Sequence, residues 1–187
     1  MRRARVPTLW LFTEERLGGR NPGDSLWAAV RALPRGAGIV FHHYGWPRAE
    51  RRALLQKLES IARRRQLILI GSEIRGASGG RHLPGGARIR HRPAKGLLTA
   101  AAHSRSDLLQ GFRLGADAIF LSPVFPTRSH PGAPALEPVR FGLAARAAPG
   151  PVIALGGMNK ARARRLAPLG AAGFAGIDCW VATAARR

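Results

Sequence analysis

Carboxylates are scarce in this 187-residue chain, with only 10 Asp and Glu against 31 Lys and Arg and a formal net charge of +21. Cysteine is reduced to Cys179, so an intrachain disulfide and a thiolate metal cluster within one chain are both excluded, and a reducing compartment fits. No apolar run approaches the ~20 residues of a membrane helix. The opening segment, Met1 to Phe12, carries too brief an apolar stretch for a signal core and ends in Thr13-Glu14-Glu15. A cytoplasmic protein without membrane contact is expected. Lysine is almost absent too: Lys57, Lys95 and Lys160 are the only ones, and the remaining basic residues are arginines scattered through nearly every helical stretch. A nucleic-acid module concentrates its cations beside exposed aromatics or on a reading helix. Neither pattern is present, so a solvated basic surface that attracts anionic metabolites is the favoured reading and nucleic acid is not an expected partner.

What is present is alternation. Short apolar runs are each followed by an Ala-, Leu- and Arg-rich stretch at helical spacing, the pattern of βα units on a parallel sheet. Strands are expected at Thr8 to Phe12, Gly38 to Phe41, Gln66 to Ile70, near Arg81 to Pro84, Leu97 to Ala102, Ala118 to Leu121, Val152 to Leu155 and Gly173 to Ile177. Helices are expected at Ser25 to Ala32, Pro47 to Arg65, Ser106 to Leu114, Phe141 to Ala147 and Lys160 to Leu166. Gly71 to Arg92 is rich in Gly and Arg with little periodicity, so the third helix is expected to be short or missing. The fold class is α/β: a compact (β/α)8 TIM barrel with trimmed or irregular units around residues 71–95, expected as a single domain over residues 1–187. Whether it forms a homo-oligomer is left open by the sequence.

The densest motif runs Gly115-Ala116-Asp117-Ala118-Ile119-Phe120-Leu121-Ser122-Pro123-Val124-Phe125-Pro126-Thr127, followed by Arg128-Ser129-His130. With Pro151-Val152-Ile153-Ala154-Leu155-Gly156-Gly157-Met158, it resembles the thiamine phosphate synthase family and its relative, the TenI-type thiazole tautomerase. The resemblance covers roughly the second half of the chain. It implies a transferase of thiamine biosynthesis that joins a pyrimidine pyrophosphate to a thiazole phosphate and expels pyrophosphate, with Mg2+ and basic residues stabilising the leaving charge. Phosphorylated small molecules are then the expected partners.

Independent physics points the same way, because barrels of this type hold phosphate on backbone N–H groups of the last βα loops. Gly156 and Gly157 leave that approach open, and Asn159 can cap the helix that follows. By resemblance, Thr127 and Ser129 join these glycines on substrate phosphate and His130 stands where the family has a lysine, a weaker pyrophosphate partner for which Arg128 is the candidate to compensate. In the first half the chain departs from the family. Phe41-His42-His43-Tyr44-Gly45 replaces a Gln-Leu-Arg segment with a lysine, leaving His43 as a substrate-binding candidate. Gly71-Ser72-Glu73 replaces Asn-Asp-Arg, leaving Glu73 as the only metal candidate. Gly79-Gly80-Arg81-His82-Leu83-Pro84 keeps His82, a further substrate candidate, but loses the family's aspartate. Asp178 aligns with a phosphate-binding serine, so either the register is off by one residue or the bound group differs. For a tautomerase, the sixth-strand histidine is replaced by Ser122-Pro123, and His103 becomes the candidate proton carrier. His103 and His130 are thus the catalytic candidates, and a tautomerase or a degenerate phosphate-binding barrel is the alternative to the transferase.

Overall fold

The computed structural model describes residues 5–86, 95–128, 132 and 134–184. Its elements follow in chain order: β1 (Leu9–Phe12), α1 (Ser25–Ala32), β2 (Gly38–Phe41), α2 (Arg48–Arg65), β3 (Ile68–Ser72), β4 (Gly80–Leu83) and β5 (Leu97–Ala102). They continue with α3 (Arg105–Arg113), β6 (Ala118–Leu121), α4 (Glu137–Arg146), β7 (Val152–Ala154), α5 (Lys160–Leu166), β8 (Gly173–Gly176) and α6 (Asp178–Ala184). Every neighbouring strand pair is parallel, and β1 pairs with both β2 and β8, so the sheet closes into a (β/α)8 TIM barrel.

Strand alternation sorts the side chains. Trp10, Phe12, Val40, Ile70, Phe120 and Ile153 point inward and form one buried cluster. Leu11, Ile39, Phe41, Leu69, Ile119 and Leu121 point outward against the helices and belong to a second. Three aromatic rings fill the barrel edge to face, with centroids 5.2 Å apart for Trp10 and Phe120 and 4.9 Å for Phe12 and Phe120. Trp10 needs a partner without a side chain. Its register partner is Gly38, where a Cβ would stand 2.0 Å from the indole ring.

Three elements differ from the sequence expectation. The third strand begins two residues late because Gln66 takes a left-handed backbone, φ 55°, and closes α2 before the strand starts. Glu137 brings α4 in before the expected Phe141. The segment after β8, for which the sequence pattern gives no element, forms α6, which packs on α1 and buries Trp180. The third helix, expected to be short or missing, does not form between β3 and β4, where the Glu59 carboxylate instead accepts from the Ser78 N–H at 2.6 Å and its hydroxyl at 2.8 Å. Ser104 caps α3 by accepting from the Asp107 N–H, and Asn159 caps α5 by accepting from the Arg162 N–H. No helix among the described residues is long and apolar enough to cross a membrane.

Candidate active site

The carboxyl ends of the strands meet at one mouth, where two corners carry the polar groups. The first lies over β6 and β7. The loop leaving β6 runs alongside the turn leaving β7, since the Val124 N–H donates to the Leu155 carbonyl at 2.9 Å and the Phe125 N–H to the Gly156 carbonyl at 3.2 Å. Gly156 and Gly157 both hold positive φ, 91° and 61°. A Cβ at Gly156 would stand 2.7 Å from Pro123 Cα, and one at Gly157 would stand 2.5 Å from the Pro126 carbonyl oxygen. Only glycine fits this loop-on-loop contact. Among the described residues, neither glycine's N–H donates to another group.

Thr127 and Arg128 continue the β6 loop past this contact, Thr127 half-buried and Arg128 exposed. Ser129 and His130 lie outside the described residues. Sequence reasoning missed Arg162, whose guanidinium lies over the Phe125 ring, 4.5 Å from its centroid, and donates to the Gly157 carbonyl. The helical spacing after Asn159 placed Arg162 one turn inside α5, but nothing in the sequence aimed it at the glycine turn. Asp178 opens α6, and its carboxylate accepts from Arg16 at 2.5 Å. That guanidinium also pairs with Glu14, so the β1 and β8 loops are tied together.

The second corner lies over β2, β3 and β4 and is rich in histidine. His43 is fully buried and points outward, its ring stacked on Phe41 with an interplanar angle of 7°. Its Nε2–H donates to the Gly18 carbonyl at 3.0 Å, so Nδ1 accepts from the Thr13 hydroxyl at 2.9 Å. Burial pushes its pKa below the ordinary value. His82 lies inside the barrel wall, its Nδ1 2.9 Å from the Thr99 hydroxyl and its ring edge-on to Phe12, and burial takes its pKa down to about 3. Both candidate substrate ligands are thus engaged by the fold.

His42 occupies the position between the strand and His43, facing inward with its ring 5.9 Å from Phe12 and 4.0 Å from Tyr44. The Tyr44 hydroxyl hydrogen-bonds the Ser72 hydroxyl, and the guanidinium of Arg51 donates to the Ser72 carbonyl at 3.0 Å. Glu73, exposed and with φ 51°, follows β3. His103, exposed at the end of β5, donates through Nδ1–H to the Ser122 carbonyl at 2.9 Å, and among the described residues its Nε2 makes no hydrogen bond.

The Mg2+ implied by the resemblance does not fit this corner. Magnesium demands a near-octahedral shell of oxygen ligands, commonly one or two carboxylates plus substrate phosphates and water. Glu73 is one carboxylate on an exposed loop beside imidazole and phenol. Among the described residues, the other acid facing His42 is Glu15, which accepts from the Gly45 N–H at 2.6 Å. Among the described residues, no three His, Cys, Asp or Glu side chains are grouped to hold a metal ion.

Comparison with known proteins places these features. The family model described as thiamine monophosphate synthase matches residues 79–179. The thiamine-phosphate synthase of Chloroflexus aurantiacus is 39% identical over 92 residues, which cover 46% of this chain and 40% of that protein, so the match spans well under half the length of this curated relative. Among solved structures, a thiamine phosphate pyrophosphorylase from Pyrococcus furiosus superposes with a TM-score of 0.74 at 20% identity, covering 95% of this chain and 92% of its own. Another from Bacteroides thetaiotaomicron gives 0.61 at 18% identity, covering 93% and 84%. These two likenesses concern the fold. The family match spans more than half of the chain, including the β6 loop, the glycine turn and the start of α6, and the chain belongs to the thiamine monophosphate synthase family.

Proposed function

We infer that this barrel is a transferase of thiamine biosynthesis that joins hydroxymethylpyrimidine pyrophosphate to thiazole phosphate. The observation that supports the reading is the pair of amides at Gly156 and Gly157, which donate to no group among the described residues, beside Thr127 and Arg128, at the mouth of a barrel of this family. An anion gripped by backbone N–H groups is held without dependence on pH, and the glycines allow its oxygens to approach the chain closely. Ser129, as a phosphate ligand, and His130, as a catalytic residue, belong to the same loop in sequence. Asp178 is its adverse element, and the Arg16 pairing offsets part of that charge. His43 and His82 support the mouth from within the fold. The donor set at Glu73 does not suit a metal ion. Incubating the protein with both substrates and Mg2+ and assaying thiamine phosphate tests the reading; no product above a blank, with thiazole phosphate bound, would remove it.

A second reading has its own observation. The Nδ1–H of His103 is committed to the Ser122 carbonyl, the arrangement that fixes an imidazole with Nε2 as its basic nitrogen. That suits a TenI-type tautomerase, or a phosphate-binding barrel that has lost the transfer. Under this reading His103→Ala abolishes isomerisation of thiazole phosphate, and unchanged isomerisation sinks it.

A further inference from the structure

Away from the mouth, the outer wall of the barrel is open between α1 and α2. α1 packs on α6, and its 8 residues run beside less than half of the 18 residues of α2. Two clamps fix the gap that results. At the mouth end, the Arg20 guanidinium donates to the Glu50 carboxylate at 2.7 Å. At the other end, Arg65 donates to the Val30 carbonyl at 2.5 Å and to the Leu33 carbonyl at 2.8 Å. Tied at both ends, the two helices leave a groove of about 480 Å³ between them.

Trp27, Val30 and Ile61 form the floor of this groove, and Arg31, Lys57 and Arg64, all exposed, stand along it. Helical spacing puts them there, since Trp27, Val30 and Arg31 share one flank of α1 and Lys57, Ile61 and Arg64 one flank of α2. The indole N–H of Trp27 donates to the Asn21 carbonyl at 2.7 Å, so the ring is fixed and its polar atom satisfied. Trp27 and Ile61 are only partly buried. Among the described residues, no acid lines the groove and none of its three cations forms an ion pair. The nearby acids are engaged by the fold: Asp24 accepts from the Gly19 and Asn21 N–H groups, Glu50 from Arg20, and Glu59 from Ser78.

We propose that this groove is the docking site for an acidic amphipathic helix of a partner protein, with its apolar side chains on Trp27 and Ile61 and its carboxylates on Arg31, Lys57 and Arg64. Shape and charge together select that occupant. A concave apolar floor takes a ridge of side chains at helical spacing, which a flat lipid surface does not offer. A phosphodiester backbone needs a row of polar donors along its track, and this floor is apolar. A second copy of this chain brings the same net charge of +21 and only 10 acids, so its approach is repulsive. A tryptophan held rigidly among arginines is also the composition on which interface energy concentrates. The site lies outside the barrel mouth, and nothing in the proposal depends on the reaction performed there.

The probe is an acetylated, amidated peptide with leucines at i, i+3, i+4 and i+7 flanked by glutamates. It is titrated into 15N-labelled protein while the Trp27 indole N–H signal is followed, beside a scrambled peptide of the same composition and a version with lysines for glutamates. The acidic peptide should shift that signal saturably and bind about tenfold or more tightly than the scrambled one. Trp27→Ala should weaken it about thirtyfold. Because that variant also removes packing, the double variant Lys57→Glu, Arg64→Glu changes only exposed side chains; its unfolding midpoint should match wild type. It should lose about tenfold or more for the acidic peptide and prefer the lysine version. Unchanged affinity in the double variant, or equal binding of the scrambled peptide, overturns the proposal. So does a dimer in sedimentation that Trp27→Ala dissolves, which would make the occupant a second copy. A larger Trp27 response to phosphatidylglycerol vesicles or to a single-stranded oligonucleotide than to the acidic peptide overturns it in favour of a membrane or a nucleic acid.

Discussion

The indole N–H of Trp180 donates to the main-chain carbonyl of Trp10 across 2.9 Å. Residues 170 apart in the chain are joined by this one bond, and both side chains are buried. Trp180 also stacks on Phe174 at 5.8 Å between ring centroids, so it presses α6 onto the seam where β8 meets β1. Trp180→Ala should destabilise the protein by about 3–5 kcal/mol, read by urea unfolding. Trp180→Phe should restore most of the packing and leave a deficit of about 1 kcal/mol, the scale of one hydrogen bond.

Gly157→Ala puts a methyl group against the Pro126 carbonyl oxygen in a left-handed backbone. A cost of about 1–3 kcal/mol in stability is expected. If the glycine amides grip the anion, affinity for inorganic phosphate should fall at least tenfold at temperatures where the variant remains folded. Calorimetric titration separates the two effects.

Asp178→Asn removes a carboxylate from the anion corner and the partner of Arg16. The ion pair is half-exposed, so the stability change should stay within about 1 kcal/mol. Relief of like-charge repulsion, about 1 kcal/mol at 4 Å in water, should tighten phosphate binding about fivefold. Arg16→Gln should weaken it. Equal affinities in all three proteins would place the anion elsewhere.

Buried His82 makes the fold acid-sensitive. Its folded pKa of about 3 lies below the ordinary 6.5 of an unfolded chain, so the unfolded state binds the proton more readily. The stability present above pH 6.5 is therefore lost as pH falls from there toward 3, about 2 kcal/mol of it by pH 5. Denaturant midpoints measured from pH 7 to pH 4.5 should fall less steeply in His82→Gln than in wild type.

Cys179 has its thiol pushed up to about 12, chiefly by burial. At pH 8 almost no thiolate is present in the folded protein, so iodoacetamide should label it about a thousandfold more slowly than it labels the urea-unfolded chain.

Parts of this architecture were legible because local signals and tertiary demands agree. The apolar run Val152 to Leu155, the glycine pair and the cap at Asn159 each specify the same strand, turn and helix. Where they disagree, the pattern misleads. Leu67 continues the apolar run, yet left-handed Gln66 keeps it out of the strand, and nothing in the composition of that turn signals the change of backbone. The short segment from Asp178 to Ala184 shows no helical periodicity of its own, and its helix is stabilised by Trp180 reaching β1. His42 and His43 look equivalent as neighbours. Counting inward and outward positions from Val40 separates them, because the barrel turns one into its mouth and packs the other beneath its helices.

The wedge of Trp10, Phe12 and Phe120 makes the barrel a stoppered vessel. No solute can travel along its axis, so the amino-terminal rim serves as foundation and the opposite rim as workbench. Loops at that working rim can accordingly be grafted from other barrels, with new specificity explored while the closed floor keeps the scaffold intact.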